Sequence, residues 1–184
     1  MQSNLALGMD HVGITVKNLE AATRFFQDAF GAEVIYDSVA PDDEPLEGEE
    51  PEHILHVAKG TTISAVRMLK LQYGPGLELF EMNAADQADP VRPSDYGLQH
   101  FAVYVDDIEE AIRLFEAAGG RMFTEPQPLM FPPEKGEGNY FCYGTRPWGS
   151  VIELITLPTP LPSYEDDTEL RRWKPAKHAT NESL

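Results

Sequence analysis

The chain has 184 residues and a mass of 20.5 kDa, enough for one ordinary domain or two small repeated modules around a sizeable core. Its 14 Lys and Arg residues against 31 Asp and Glu residues give a net charge of −17, which argues against a nucleic-acid partner and an anionic membrane surface. The single cysteine, Cys142, excludes an intrachain disulfide and a cysteine-cluster metal site, and because neither a basic, apolar leader nor a membrane-length apolar run is visible, we expect a cytoplasmic protein.

The first predicted elements are a strand and a helix. Residues 11–16 have the composition of a strand. Apolar residues then recur at helical spacing over 19–29, between Asn18 as the N-cap and Gly31 as the C-cap. Three further strand-like runs complete this half of the chain: 32–37, 61–71 and 76–81.

An acidic segment interrupts this half. Residues 41–52, PDDEPLEGEEPE, contain seven carboxylates and three prolines. Such a composition cannot bury apolar surface and predicts an exposed loop. His53 and His56 follow the segment; they could form a second metal site, but a pair on a helix surface is the favoured interpretation.

The second half of the chain repeats the first. The segments that begin at His11 and His100 share eight identities in 22 positions without a gap. A strand over 100–105 and a helix from Ile108, with Asp107 as its N-cap, are again followed by three strand-like runs: 121–123, 139–143 and 150–156. The sequence therefore predicts an α+β fold in which two paired βαβββ modules form a cleft from curved, mixed sheets.

The predicted domain limits follow from the repeat. We assign the first module, with its acidic insertion, to 7–89 and the second to 90–157. An extended tail over 158–184 opens with three prolines, and one helical turn is expected near 165–172. Trp173 has almost no large apolar neighbour in this tail, so we expect it to dock on the body of the protein or on a partner chain.

Histidine and glutamate recur together at matching places. His11 and His100 open the first strands of the two modules, and Glu78 and Glu153 lie between apolar residues of the last strands. Either type alone could be structural, since a strand can direct a glutamate to solvent. Their joint recurrence instead predicts that two imidazoles and two carboxylates converge on one cleft. Such a set suits Zn²⁺, Ni²⁺, Co²⁺, Mn²⁺ or Fe²⁺ and leaves positions for water or substrate.

The repeat and its strand-borne glutamates resemble a known superfamily. The paired modules, the opening HVGITV and the positions of Glu78 and Glu153 are similar to the vicinal oxygen chelate superfamily over about residues 7–157. That superfamily includes glyoxalase I, methylmalonyl-CoA epimerase, extradiol dioxygenases and the bleomycin and fosfomycin resistance proteins. The segments PGLELFEM, RPSDYGLQHFAVYVDDIEEA and PWGSVIEL look most like bacterial glyoxalase-like proteins, a group that includes valiolone-type cyclitol epimerases.

This resemblance implies a ligand set and a chemistry. The implied ligands of one divalent ion are His11, Glu78, His100 and Glu153. The implied reaction stabilises an enolate or enediolate of a small hydroxycarbonyl substrate that is chelated through two neighbouring oxygens. We take Glu153 as the catalytic base and Glu78 as the second choice. A glutamate at position 78 counts against methylmalonyl-CoA epimerases, which usually carry glutamine there, and a complete four-ligand set counts against extradiol dioxygenases.

Four other residues are candidates for binding the substrate: Arg67, Tyr104, Tyr140 and Trp148. For Arg67 the competing interpretation is a surface salt bridge. For the three aromatic residues it is packing, which is the more common role of aromatic side chains on strands. Cys142 lies in an apolar strand and is expected to be inert.

The expected function is that of a metal-dependent lyase or isomerase, glyoxalase-like or epimerase-like, with a small-molecule substrate and a homodimeric assembly. A non-catalytic protein of the same fold that binds a small molecule or an antibiotic is the alternative from another class, and a ring-cleaving dioxygenase is a further alternative. A lactoylglutathione lyase is the main competitor among enzymes, although no obvious basic cluster is present for the glutathione carboxylates.

Overall fold

The computed structural model describes residues 8–72 and 74–161. They form two compact units. The first unit runs to Pro90 and also includes Leu114–Gly120 and Pro147–Gly149, and the second contains the other described residues.

Four strands form the sheet of the first unit: β1 (His11–Val16), β2 (Glu33–Val39), β3 (Thr62–Lys70) and β4 (Gly76–Asn83). Their order is β1-β4-β3-β2, with β1 parallel to β4 and the other neighbours antiparallel. The four strand predictions are confirmed, with ends that differ by at most two residues.

Helix α1 (Leu19–Phe30) has the predicted caps. The side-chain oxygen of Asn18 accepts a hydrogen bond from the backbone N–H of Ala21 at 2.7 Å, and Gly31 ends the helix in the left-handed region at φ 63°. The helix buries its apolar face in the core of the first unit through Leu19, Ala22, Phe25, Phe26 and Ala29. These side chains stand at the spacing that predicted the helix.

The acidic segment is exposed, but it is not entirely a loop. Helix α2 (Glu49–Leu55) covers the end of the segment predicted as a loop over 41–52. Its first turn carries three glutamates, which the positive end of the helix dipole stabilises, and Pro51 occupies a position whose N–H needs no partner within the helix. His53 lies exposed on this helix and His56 follows it, as expected for a pair on a helix surface.

Five strands form the sheet of the second unit: β5 (His100–Tyr104), β6 (Arg121–Met122), β7 (Gln127–Pro128), β8 (Tyr140–Thr145) and β9 (Val151–Thr156). Their order is β5-β9-β8-β6, β7 also pairs with β8, and β5 is parallel to β9. Strand β7 was not predicted, because two residues that include a proline carry no periodic pattern.

Helix α3 (Ile108–Ala117) follows β5. The Asp107 carboxylate accepts from the backbone N–H of Glu110 at 3.0 Å, which confirms the predicted N-cap, and Gly119 with φ 98° follows the helix. The predicted α+β class is thus confirmed, since each unit contains a mixed sheet and the described residues include three helices.

Some expectations about the whole chain are not addressed by these residues. The helical turn near 165–172 and the docking of Trp173 lie outside the described residues. The limits 7–89, 90–157 and 158–184 stay predictions. Within the described part of the chain, none of the helices has both the length and the apolar character needed to cross a bilayer.

Candidate metal centre

In the first unit, His11 and Glu78 come from neighbouring parallel strands. In the β1–β4 register His11 is opposite Gly76, and Glu78 is opposite Gly13. The two side chains therefore occupy diagonal positions on one face of the sheet, since residues two apart on a strand share a face. His11 Nε2 lies 3.2 Å from Glu78 Oε2.

In the second unit, His100 and Glu153 have the same arrangement. In the β5–β9 register His100 is opposite Val151, and Glu153 is opposite Ala102. The diagonal is the same, and His100 Nε2 lies 3.0 Å from Glu153 Oε2. Each unit thus brings together one histidine and one glutamate of the predicted ligand set.

The second nitrogen of each imidazole also faces an oxygen. His11 Nδ1 is 2.8 Å from an Asp10 carboxylate oxygen, and His100 Nδ1 is 2.7 Å from the Gln99 amide oxygen. A neutral imidazole has one N–H and one lone pair, so it can donate to only one of its two oxygen neighbours. If Nδ1 donates, the contact between Nε2 and the glutamate joins two lone pairs, which a proton or a cation must bridge. The donor set therefore fits a metal ion next to each pair.

The distances within the pairs fit the same interpretation. Two ligand atoms that lie about 2.0–2.2 Å from one ion and at a right angle to each other are about 3 Å apart. The observed separations of 3.2 and 3.0 Å match this value. Among the described residues, no group of three or more His, Cys, Asp or Glu side chains could hold a metal ion. Each unit brings together two of the four predicted ligands, and their coordination of one ion stays a prediction.

The first pair is the more exposed one. The side chains of His11 and Glu78 are 39% and 21% exposed, against 24% and 11% for His100 and Glu153. The hydrogen bond to Asp10 raises the pKa of His11, and the charge of Glu78 contributes in the same direction. In the first pair, the neighbouring carboxylates therefore determine the direction in which the pKa of His11 shifts.

In the second pair, burial is the largest influence on the pKa of the glutamate. It raises the pKa of Glu153, the neighbouring His100 opposes this effect, and the charge of Glu134 adds to it. A carboxylate with a raised pKa is a stronger base toward a carbon acid than one stabilised by solvent.

Tyr143 is a residue of this site that the sequence did not predict. It lies on β8 opposite Glu153, and its ring meets the His100 imidazole edge to face with 5.0 Å between centroids. Burial and the charge of Glu153 raise the pKa of its phenol. Its identification needs the β8–β9 register, which determines that Tyr143 rather than its strand neighbours faces Glu153.

Arg67 does not lie on the face that carries Glu78. On β4 its partner is Leu79, the residue next to Glu78, and its guanidinium bonds to Asp37 at 2.7 and 3.1 Å. It also donates to Glu20 at 2.9 Å and to the Thr23 hydroxyl at 3.1 Å. These contacts favour the salt-bridge interpretation over the predicted role in substrate binding.

The two tyrosine candidates, Tyr104 and Tyr140, lie on opposite faces of the second sheet. Tyr104 shares the face of Glu153 but packs against a cluster of leucines that includes Leu129. Tyr140 is paired with Thr156 and points to the opposite face, since it is an odd number of residues from Tyr143.

Trp148 belongs to an aromatic cluster of the first unit. Its ring lies 5.4 Å from Phe25 and 5.8 Å from Phe26, both on α1, and Phe115 also lies 5.4 Å from Phe25. These edge-to-face contacts support the packing interpretation for Trp148, and its role in substrate binding stays a prediction.

Comparison with known proteins identifies a matching family and a similar protein. The family model described as Glyoxalase/Bleomycin resistance protein/Dioxygenase superfamily matches residues 10–143. A 2-epi-5-epi-valiolone epimerase from an Actinomyces species is 34% identical over 172 residues, which cover 92% of this chain and 90% of that protein.

More distant matches have glyoxalase names. A putative lactoylglutathione lyase from Brassica oleracea var. gemmifera is 26% identical over 153 residues, 83% of this chain and 45% of that protein. The crystal structure of a glyoxalase family protein from Bacillus cereus superposes with a TM-score of 0.64 at 20% identity, and the match covers 85% of this chain and 97% of that one.

Proposed function

The chain belongs to the glyoxalase/bleomycin resistance protein/dioxygenase superfamily, and on that premise we propose that it is a metal-dependent isomerase of the epimerase type. The proposed substrate is a small hydroxylated ketone, of the kind named for the relative that is 34% identical. The observation that carries the proposal is the duplicated His–Glu pair, in which each imidazole has an oxygen neighbour at both nitrogens.

We propose that both pairs hold one divalent ion. Members of this superfamily are commonly metal-dependent. The proposed ligands are His11, Glu78, His100 and Glu153, and the mixed nitrogen and oxygen set suits Zn²⁺, Ni²⁺, Co²⁺, Mn²⁺ or Fe²⁺. Such an ion would supply Lewis-acid polarisation of the substrate carbonyl.

We propose that Glu153 is the base. Its carboxylate takes the proton from the carbon beside the carbonyl, and return of a proton to the other face of that carbon inverts the centre without net oxidation or reduction. The low exposure of Glu153 and its neighbours His100 and Tyr143 support this role, because a base that is shielded from water is not levelled by solvent. Glu78, the more exposed carboxylate, is the candidate for the returning acid.

Deuterium exchange tests the proposed function. The metal-loaded protein, incubated with 2-epi-5-epi-valiolone in D₂O, should exchange the hydrogen beside the carbonyl and form the epimer, both observed by NMR. Removal of the metal with a chelator should abolish exchange. Glu137→Gln, at an exposed position outside both pairs, serves as the matched control for Glu153→Gln. Tight binding of the ketone without exchange would instead favour a non-catalytic binding protein.

We also propose a homodimer, as expected from the sequence. The edge strand β2 exposes Val34, Ile35 and Tyr36 by 42%, 53% and 51%, and an exposed apolar sheet edge is usually covered by a partner. Sedimentation at micromolar concentration measures the mass, and Tyr36→Lys should shift it toward the monomer. A wild-type monomer mass would contradict this assembly. The cytoplasmic location stays a prediction.

A further inference from the structure

We propose that Gln99 is a positioning residue that accepts the Nδ1 hydrogen of His100 and thereby favours the tautomer whose Nε2 lone pair can bind the metal. The inference extends the proposed function, since it assigns the group that orients one of the proposed ligands. It rests on a continuous series of hydrogen bonds in the second unit, from the segment that precedes β5 to the imidazole.

The orientation of the Gln99 amide is determined by its first contact. Gln99 Nε2 donates to the backbone carbonyl of Pro93 at 2.7 Å, and a carbonyl oxygen can only accept. The amide oxygen must then be the atom that faces His100, at 2.7 Å from Nδ1. Since this oxygen also can only accept, it bonds to His100 in the tautomer with the hydrogen on Nδ1, which leaves the Nε2 lone pair for a metal ion. In the metal-free protein the Glu153 carboxylate, 3.0 Å from Nε2, competes for the same hydrogen.

The Pro93 carbonyl is itself held in place by a tight turn. The Asp95 carboxylate accepts from the backbone N–H of Arg92 at 3.0 Å and from its guanidinium at 2.8 and 3.0 Å. The backbone N–H of Asp95 returns a bond to the Arg92 carbonyl at 2.9 Å. A fixed carbonyl fixes the Gln99 amide, so the tautomer of His100 depends on the turn that precedes its strand.

In the first unit, the corresponding histidine, His11, has a different kind of acceptor at Nδ1. There the acceptor on Nδ1 is the Asp10 carboxylate, whose two oxygens accept in any orientation. A carboxylate therefore needs no second contact to present an acceptor to Nδ1, whereas an amide can present either its oxygen or its NH₂ group. Because its NH₂ group is bonded to Pro93, Gln99 presents an oxygen acceptor to His100, as Asp10 does to His11.

The experiment measures the tautomer and the metal affinity separately. Nitrogen-15 NMR of the metal-free protein at about pH 9, where histidine is neutral, reports which ring nitrogen of His100 is protonated. Calorimetry with Zn²⁺ and with Mn²⁺ reports affinity. The variants are Gln99→Leu, which removes the acceptor, and Gln99→Glu, which restores it. The matched control is Gln127→Leu, because Gln127 Nε2 also donates to a backbone carbonyl, that of Glu125, but Gln127 has no histidine next to it in the sequence.

In the wild type and in Gln127→Leu, we expect the hydrogen to be shared between Nδ1, bonded to Gln99, and Nε2, bonded to Glu153. In Gln99→Leu it should move to Nε2, where Glu153 accepts it, and affinity should fall about 10- to 100-fold. Gln99→Glu should recover both readouts. An unchanged tautomer or unchanged affinity in Gln99→Leu would overturn the inference. If the wild type binds neither ion, the proposed metal site fails, and the tautomer in the metal-free protein still decides the role of Gln99.

Discussion

The two His–Glu pairs have the same strand register and different surroundings. In both, the glutamate is opposite the residue two positions after the histidine, which sets the separation of the two donor atoms at 3.2 and 3.0 Å. Beside Glu78 stands Met68, and beside Glu153 stands Tyr143. The comparison teaches that the duplicated backbone provides equivalent His–Glu pairs, while the neighbouring strand places a different side chain beside each carboxylate.

The other face of each sheet differs even more. One residue before Met68 is Arg67, which bonds to Asp37, and one residue before Tyr143 is Cys142, which is buried among apolar groups. On the neighbouring strand, Arg67 is opposite Leu79 and Cys142 is opposite Leu154. Each of these leucines directly follows the glutamate of the His–Glu pair in its sheet. The first unit therefore contains an ion-pair network where the second has an apolar core.

The largest expected effect separates the two carboxylates. Glu153→Gln should keep much of the metal, because an amide oxygen can still coordinate, and should lose about 10²- to 10⁴-fold in turnover, because an amide accepts no proton at neutral pH. Glu78→Gln should lose less. The exchange assay and the bound metal content are the measurements. Near-wild-type turnover in Glu153→Gln would contradict the assignment, and equal losses would mean that the two carboxylates share the work.

The next effect is on stability and belongs to the first unit. Arg67→Met keeps the apolar stem but leaves Asp37 without its guanidinium, so the free energy of unfolding should fall by about 2–4 kcal/mol in urea titrations. The matched control is Arg113→Met, which breaks an exposed pair with Glu110 and should cost much less, because solvent screens an exposed ion pair. Equal costs would mean that the Arg67 network contributes no more than a surface ion pair.

A smaller effect is expected from the neighbours of the glutamates. Tyr143→Phe keeps the ring against His100 and removes the hydroxyl beside Glu153, so metal affinity should fall about tenfold. Met68→Leu conserves volume beside Glu78 and should leave metal affinity unchanged. Calorimetry measures the metal affinity of both variants. An equal change in affinity in the two would contradict the proposed difference between the pairs.

The smallest effect concerns Cys142. Burial raises the pKa of its thiol from 9.0 to about 12, so the folded protein should resist alkylation at pH 8 and react only when unfolded. Because the raised pKa favours the neutral thiol in the folded state, its contribution to stability is present below pH 9 and lost as the pH rises toward 12. Mass spectrometry after iodoacetamide treatment is the check, and rapid labelling of the folded protein would contradict the burial.

Sequence periodicity was enough to predict most of the fold. The repeat, the helix α1 with its caps at Asn18 and Gly31, and the strands on both sides of it follow from local patterns of spacing and capping. The same patterns identified one histidine and one glutamate in each unit as partners. The first turn of helix α2, residues 49–52, was predicted as loop because a segment with three prolines and seven carboxylates has no apolar period, although its glutamates favour a helix N-terminus.

Tertiary structure alone decided which side chains face the glutamates. The strand Thr62–Lys70 is almost continuously apolar, so its sequence does not distinguish the face of Arg67 from that of Met68. A shift of one residue in register exchanges the two faces, and a bulge between Ile63 and Ala65 makes that register unpredictable from alternation. Inter-strand hydrogen bonds fix the register, and for that reason the position of Tyr143 beside Glu153, and of Arg67 on the other face of its sheet, is known only from the folded chain.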